Sequence, residues 1–158
     1  MTADILFWQL AHRPGDVTRV AQWWHDEWGL PDRHSTLADY VLELAAVIPD
    51  ELPMHVVAAV QGRTVGVATL KVRRDHPVIP SESHWLSGVY IDSVHRRRGI
   101  ATALCGEIWR IATARRSERL YLQTDHLDGG LYARLGWSPV QQYRSGTVDL
   151  LVMLKELG

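Results

Sequence analysis

A mixed α/β fold is predicted for this chain of 158 residues by three observations. Short runs rich in β-branched residues recur along it, as in Met54–Val60 and Thr64–Val72. Stretches with apolar residues at helical spacing lie between them, as in Val17–Trp28. A strand reading over Trp85–Ile91 leads through an arginine-rich turn straight into an amphipathic helix. Taken in order, the elements read β-α-α-β-β-β-α-β-α-β-β.

Ile5–Leu10 is a short apolar run and the first strand, followed by a turn-rich His12-Arg13-Pro14-Gly15-Asp16. Val17, Val20, Ala21, Trp24 and Trp28 then share a helical face, with Asp16 as N-cap and Gly29 and Pro31 closing the helix. Ser35 can cap a second helix carrying Leu37, Val41, Leu44, Ala45 and Ile48 on one side, ended by Pro49. Met54–Val60 and Thr64–Val72 form a hairpin about Gln61-Gly62-Arg63. A loop with Pro77 and Pro80 runs to Ser83. Beyond the central strand, Ala101, Leu104, Cys105, Ile108 and Ala112 repeat at helical spacing, which puts Cys105 on the inward face. Leu120–Thr124 is a strand, and Leu131–Leu135 a short helix weakened at its start by Gly129 and Gly130. Pro139–Tyr143 and Thr147–Leu154 close the pattern as a strand pair.

Composition narrows the function classes. Hydrophobic residues at 46% and charged residues at 22% are ordinary for a soluble globular protein. No linker, repeat or low-complexity tract divides the chain, so residues 1–158 are expected to form one domain. A formal net charge of −1 gives no electrostatic reason to bind nucleic acid. No apolar run approaches the roughly 20 residues that span a bilayer, so no membrane partner is expected. The one cysteine forms no internal disulfide and suits a reducing compartment. With no basic region and long apolar run at its start, the chain is expected to be cytoplasmic. The histidines, His25 and His34 among them, show no metal-ligand spacing, and no metal is expected. The sequence leaves a homodimer open.

The arginine turn carries the strongest chemical signal. Arg96-Arg97-Arg98-Gly99-Ile100-Ala101 brings three cations, a glycine and a small residue to the start of a helix. Helix N-termini carry unpartnered N–H groups and a partial positive charge, and anions bind there. Three arginines at that end oppose the dipole, and a bound polyanion offsets the repulsion. The plainer alternative is a solvated basic helix start. Gly99 and Ala101 keep bulk away from the backbone, as a pyrophosphate requires.

These residues resemble the coenzyme A motif of the GCN5-related N-acetyltransferases (GNAT). Its pattern is Arg or Gln, two variable residues, Gly, one variable residue, then Gly or Ala. Arg96, Gly99 and Ala101 fill the defined positions. Leu131-Tyr132-Ala133-Arg134-Leu135-Gly136-Trp137 is similar to the family's second signature, a Tyr-bearing helix ending in Leu-Gly-aromatic. The resemblance covers roughly residues 52–154. At the position of Arg97 many members carry glycine.

The resemblance implies the acyl-CoA N-acyltransferase fold, a mixed and mostly antiparallel sheet with helices on both faces. It implies acetyl-CoA as acyl donor, with N–H groups of Arg97, Arg98, Gly99, Ile100, Ala101 and Thr102 on the pyrophosphate and Arg96 opening the turn. The strand around Val89, Tyr90 and Ile91 is implied to pair with the pantetheine arm. Amine attack on a thioester gives an oxyanion that collapses by expelling sulfur, and the Tyr matching Tyr132 donates a proton to that sulfur. A Tyr in such a helix is otherwise a packing residue.

The reaction expected is direct acetyl transfer to a primary amine in a ternary complex. Glu82, His84, Asp125 and His126 are candidates to accept the amine proton, with a water chain as alternative. Asp125 and His126 are also placed at the acceptor. Trp23, Asp26 and Glu27, on the Trp-rich first helix, offer an aromatic face and negative charge that favour a cationic amine; core packing with a polar face is the alternative. Leu120–Gly136 is also similar to N-terminal acetyltransferases that act on processed actin, so the acceptor is a small amine or a peptide N-terminus. A non-catalytic acyl-CoA-binding sensor is the alternative function.

Overall fold

The computed structural model of the chain describes residues 4–29 and 35–157. Pro31 and His34 lie outside the described residues. Among these residues seven strands and four α-helices follow the expected order: β1 (Ile5–Gln9), α1 (Val17–Trp28), α2 (Leu37–Ala45), β2 (Met54–Val60), β3 (Arg63–Arg73), β4 (Ser83–Ile91), α3 (Ile100–Ala114), β5 (Arg119–Thr124), α4 (Gly130–Arg134), β6 (Ser138–Ser145) and β7 (Val148–Glu156). The strands form one sheet in the order β1-β2-β3-β4-β5-β7-β6. β4 and β5 run parallel, with Trp85 opposite Tyr121. β1–β2, β5–β7 and β6–β7 are antiparallel. β2 turns into β3 through Gln61 and Gly62, both at positive φ (51° and 77°), as a two-residue hairpin requires.

The chain groups into two compact units, Met1–Thr69 with Gly88–Ile108, and Leu70–Ser87 with Trp109–Gly158. It passes from one to the other within β3, β4 and α3.

In the first unit, α1 and α2 bury Val20, Ala21, Trp24 and Leu44 against Val57 of β2 and Val67 of β3. A Cβ built on the preceding residue, Gly66, would meet Leu104 of α3 at 3.0 Å. Successive strand residues point to opposite faces, so α3 covers the face opposite α1 and α2. Cys105 is buried on that inward side of α3. Two expected caps differ. Asp16 has helical backbone angles and makes no cap; its carboxylate accepts from Arg13 Nε (2.8 Å) and Thr64 Oγ1 (2.6 Å), tying the turn before α1 to β3. α2 is capped by Thr36 rather than Ser35, because Thr36 and Asp39 form a reciprocal capping box. α2 also stops at Ala45, and Ile48 lies 57% exposed beyond it.

In the second unit, β5, β7 and β6 pack Tyr121 and Val152 against Trp85. Gly129 (φ +87°) and Gly130 (φ +51°) are required at the entry to α4 rather than a weakness in it. A Cβ on Gly129 would lie 2.8 Å from the Ala133 Cβ and 2.9 Å from Met153 Cε. Gly136 (φ +90°) ends α4, where Lys155 Nζ donates to the Leu135 carbonyl and lies 3.8 Å from the Trp109 ring centroid.

Candidate functional site

The first unit builds the arginine turn from backbone outward. β4 carries Gly88 at φ +62°, a conformation that L side chains avoid, three residues before the strand ends. Trp24 of α1 packs directly on it: its Nε1 donates to the Gly88 carbonyl (3.1 Å), and a Cβ at 88 would fall 2.6 Å from Trp24 Cζ2. The strand is therefore bent immediately before Val89, Tyr90 and Ile91, and the bend is held by an indole. Val89 and Tyr90 are half-buried and Ile91 is buried. A glycine inside a strand that carries Trp85, Val89, Tyr90 and Ile91 is the signal that locates this feature.

The turn itself is fastened by Arg96. Its Nε donates to the Ile91 carbonyl (3.0 Å), and its guanidinium lies 5.2 Å from the centroid of the Tyr90 ring. Arg97 adopts φ +63° and Gly99 φ +77°. A non-glycine residue in the left-handed region costs about 1–2 kcal/mol, so the turn holds strain at Arg97. Arg97, Arg98, Gly99 and Thr102 are exposed, Ala101 is half-buried, and buried Ile100 pins the helix start to the core. A Cβ at Gly99 would meet no heavy atom within 4 Å outside its chain neighbours, so space is open in front of the backbone. The Ala103 N–H donates to the Gly99 carbonyl (3.0 Å). The N–H groups of Ile100, Ala101 and Thr102 precede that bond and have no partner within the helix. The donor set, the open space and the exposed cations fit a diphosphate.

Trp23 is half-buried, stacked on Tyr90 at 5.5 Å and 27° between planes. Its indole thus backs the strand end, on the ring that also receives Arg96. Trp24 and Trp28 pack inward against each other, as expected. Asp26 accepts from Gln22 Nε2 (2.7 Å) and lies 3.3 Å from His25 Nδ1; Asp26 and Glu27 are exposed.

In the second unit, α4 presents Tyr132 half-buried, its ring edge-on to Trp137 at 6.2 Å. The Tyr132 N–H donates to the Gly129 carbonyl (3.1 Å), and the Tyr132 carbonyl accepts from the Trp137 N–H (3.0 Å). Both ends of the residue's backbone are therefore fixed. Of the four base candidates, Asp125 and His126 lie side by side. Glu82 lies 3.5 Å from Arg74 Nε in an exposed ion pair. His84 is half-buried and neighbours Trp85 on β4, so it points to the opposite face. Asp125 and His126 lie 3.8 Å apart, each more than two-thirds exposed.

The second unit also holds a buried polar cluster unforeseen from sequence. His76, wholly buried, packs on Trp85 at 4.5 Å and edge-on to Tyr143 at 5.0 Å. Its Nε2 lies 2.9 Å from Gln123 Oε1 and 3.0 Å from the Tyr143 hydroxyl, while its Nδ1 accepts from the Val78 N–H (3.1 Å). Burial pushes the His76 pKa down, against a smaller upward pull from the Gln123 hydrogen bond. Burial likewise raises Tyr143. The members come from residues 76, 85, 123 and 143, and no spacing in the sequence relates them. Among the described residues no group of three metal-ligating side chains comes together, and no helix is long and apolar enough to cross a membrane.

Comparison with known proteins bears on the family and the fold. The Acetyltransferase (GNAT) family matches residues 17–137. Among solved structures, a ribosomal-protein-alanine N-acetyltransferase from Brucella melitensis is 21% identical, with a TM-score of 0.75 over 96% of this chain and 99% of that one. An aminoglycoside 6'-N-acetyltransferase complexed with coenzyme A is 16% identical, with a TM-score of 0.74 over 96% and 97%. The Salmonella typhimurium protein yncA, solved with its cofactor acetyl-CoA, is 17% identical, with a TM-score of 0.72 over 100% and 95%. At these identities the likeness is one of fold. No curated protein matches the chain in sequence. A family match over residues 17–137, on a sheet and turn of this form, makes the chain a member of the GNAT acetyltransferase family.

Proposed function

We propose that the chain is an N-acetyltransferase that moves the acetyl group of acetyl-CoA to a primary amine by direct attack in a ternary complex. The observation that carries this reading is the bent end of β4 leading into a turn with open space before Gly99 and helix N–H groups that have no partner within the helix. The acetyl-CoA carried by a structural neighbour supports it. Residues 1–158 are read as one acetyltransferase domain, since the boundaries between the two units fall inside elements and not in linkers.

Acetyl-CoA supplies an activated acyl carbonyl and a sulfur leaving group. The chain's own groups do the rest. N–H groups between Arg97 and Thr102 hold the pyrophosphate, and Arg96 fixes the turn that aims them. The backbone of Val89–Ile91 aligns the pantetheine arm as a further strand and donates an N–H to the carbonyl oxygen as charge grows there. The Tyr132 hydroxyl gives its proton to the departing sulfur. The amine proton is accepted by Glu82 or His84 at the start of β4, by Asp125 or His126 after β5, or by water; Glu82 also pairs with Arg74 at 3.5 Å. No covalent enzyme intermediate is used, since Cys105 is buried on α3.

Thiol release from acetyl-CoA across an amine panel tests this. Initial-rate plots are expected to intersect, and Tyr132→Phe to lower kcat by about ten- to ten-thousand-fold with acetyl-CoA affinity little changed. Parallel plots would indicate a covalent route. Unchanged turnover in Tyr132→Phe, with chemistry limiting, would remove Tyr132 from the mechanism.

A further inference from the structure

Gln123 stands at the mouth of the buried cluster, and its hydrogen bonds leave one kind of group facing outward. His76 Nδ1 accepts from the Val78 N–H (3.1 Å), so in the neutral ring the proton sits on Nε2. That N–H needs an acceptor, and it meets Gln123 Oε1 at 2.9 Å. Tyr143 donates its hydroxyl proton to the same oxygen, at 2.5 Å, and its own oxygen shares the His76 proton at 3.0 Å. The two donors fix the amide: Oε1 points into the cluster and the NH2 points away. Gln123 is exposed, and among the described residues its Nε2 has no hydrogen-bond partner. The rings of Trp85, Tyr121 and Tyr143 pack about the arrangement.

Arg73 stacks on Trp85 at 5.2 Å, and its charge acts on both His76 and Tyr143. Lys71 also acts on His76, and Asp75 is the one opposing carboxylate among the charges felt there. A fixed N–H donor, on a cluster whose Trp85 ring also carries the Arg73 guanidinium, recognises a carbonyl or carboxylate oxygen and gives nothing to a bare alkylammonium.

We propose that Gln123, oriented by His76 and Tyr143, is a specificity residue that donates to an oxygen of the acceptor, so that this chain acetylates amines bearing a carboxylate or amide carbonyl in preference to polyamines. This rests on the acetyltransferase reading above. It reverses the preference for a cationic amine that the Trp-rich helix suggests. Gln123 lies on β5, the strand that leads to Asp125 and on to the helix bearing Tyr132.

The decisive variant is Gln123→Glu. A carboxylate at 123 still accepts from His76 and Tyr143, so the cluster stays satisfied, while the outward donor becomes an acceptor. Thiol release is measured with alanine, alaninamide, an alanine-start tripeptide, isopropylamine and spermidine. In the wild type the carbonyl-bearing amines are expected to exceed isopropylamine and spermidine in kcat/KM by about tenfold or more. In Gln123→Glu that ratio falls by about tenfold or more, through KM, with kcat and melting temperature nearly unchanged. Should Glu at 123 disturb folding, Arg73→Gln reads the same site: it lowers kcat/KM for alanine relative to alaninamide and leaves the amide arm in place. A wild-type preference for spermidine, or a ratio unmoved in the folded variants, overturns the proposal while the acetyltransferase reading stands. Absence of thiol release from the wild type with every amine overturns both.

Discussion

The turn at Arg96–Thr102 and the cluster around His76 both present hydrogen-bond donors, and they do so by different means. In the turn the donors are backbone N–H groups, and the side chains are either fasteners, as Arg96 is, or absent, as at Gly99. In the cluster the donor is a side-chain amide held by two other side chains, drawn from a loop and from β6. The turn can therefore tolerate changes of side chain that respect its backbone angles. The cluster can tolerate none that remove a hydrogen-bonding partner, because a buried polar group left unpaired costs about 1–3 kcal/mol. A diphosphate, common to every reaction of a coenzyme, suits the first arrangement. A variable acceptor suits the second.

The largest expected effect is on the backbone side. Gly88→Val forces a β-branched residue into φ +62° and drives its Cβ into Trp24. The loss expected is about 2–5 kcal/mol, the sum of left-handed strain and overpacking. Denaturant midpoints check it. The double variant with Trp24→Phe, which gives room at that contact, should recover part of the loss; a strictly additive result would show that the indole does not brace the bend.

A smaller effect separates the cluster from the turn by pH. Burial lowers the His76 pKa below its ordinary value of 6.5. The unfolded chain therefore takes up a proton near that pH while the folded chain does not. Stability from neutral His76 is complete above about pH 6.5, and it declines as pH falls from there toward the lowered folded-state pKa. Lys71 and Arg73 work in the same direction and Asp75 against it. Comparing the pH dependence of unfolding in wild type and His76→Gln isolates this contribution. Equal slopes below pH 6.5 would show that the histidine is not held neutral.

The same contrast explains what the sequence disclosed. Gly99, Ala101 and the Leu-Gly-Trp ending of α4 are adjacent in the chain to the backbone they release, so a linear pattern finds them. The helices and strands declare themselves by period, and α1 and β2 begin and end where spacing places them. Caps are less legible, because Ser35 and Thr36 are equally competent oxygens and only Asp39, three residues after Thr36, decides between them. The His76 cluster is illegible for a stronger reason. His76 to Gln123 spans 47 residues and His76 to Tyr143 spans 67, and a lone histidine in a proline-containing loop has no local pattern to mark it as buried. Trp23 shows the intermediate case: helical spacing sets it to one side of α1, but its stacking on Tyr90 depends on tertiary packing.

The proposed role of the turn's backbone is to hold the coenzyme. Thermal unfolding with and without acetyl-CoA tests it in the wild type, Arg97→Gly and Gly99→Trp. At a ligand concentration of 100 Kd the wild type should gain about 2.7 kcal/mol. Arg97→Gly keeps the N–H groups and relaxes the strained φ of +63°, so it should retain most of that gain. Gly99→Trp fills the open space before the backbone and puts a side chain at φ +77°, so it should fold at a cost of about 1–2 kcal/mol yet gain nothing from the ligand. Equal stabilisation of a folded Gly99→Trp protein, or its loss in Arg97→Gly, would contradict the account.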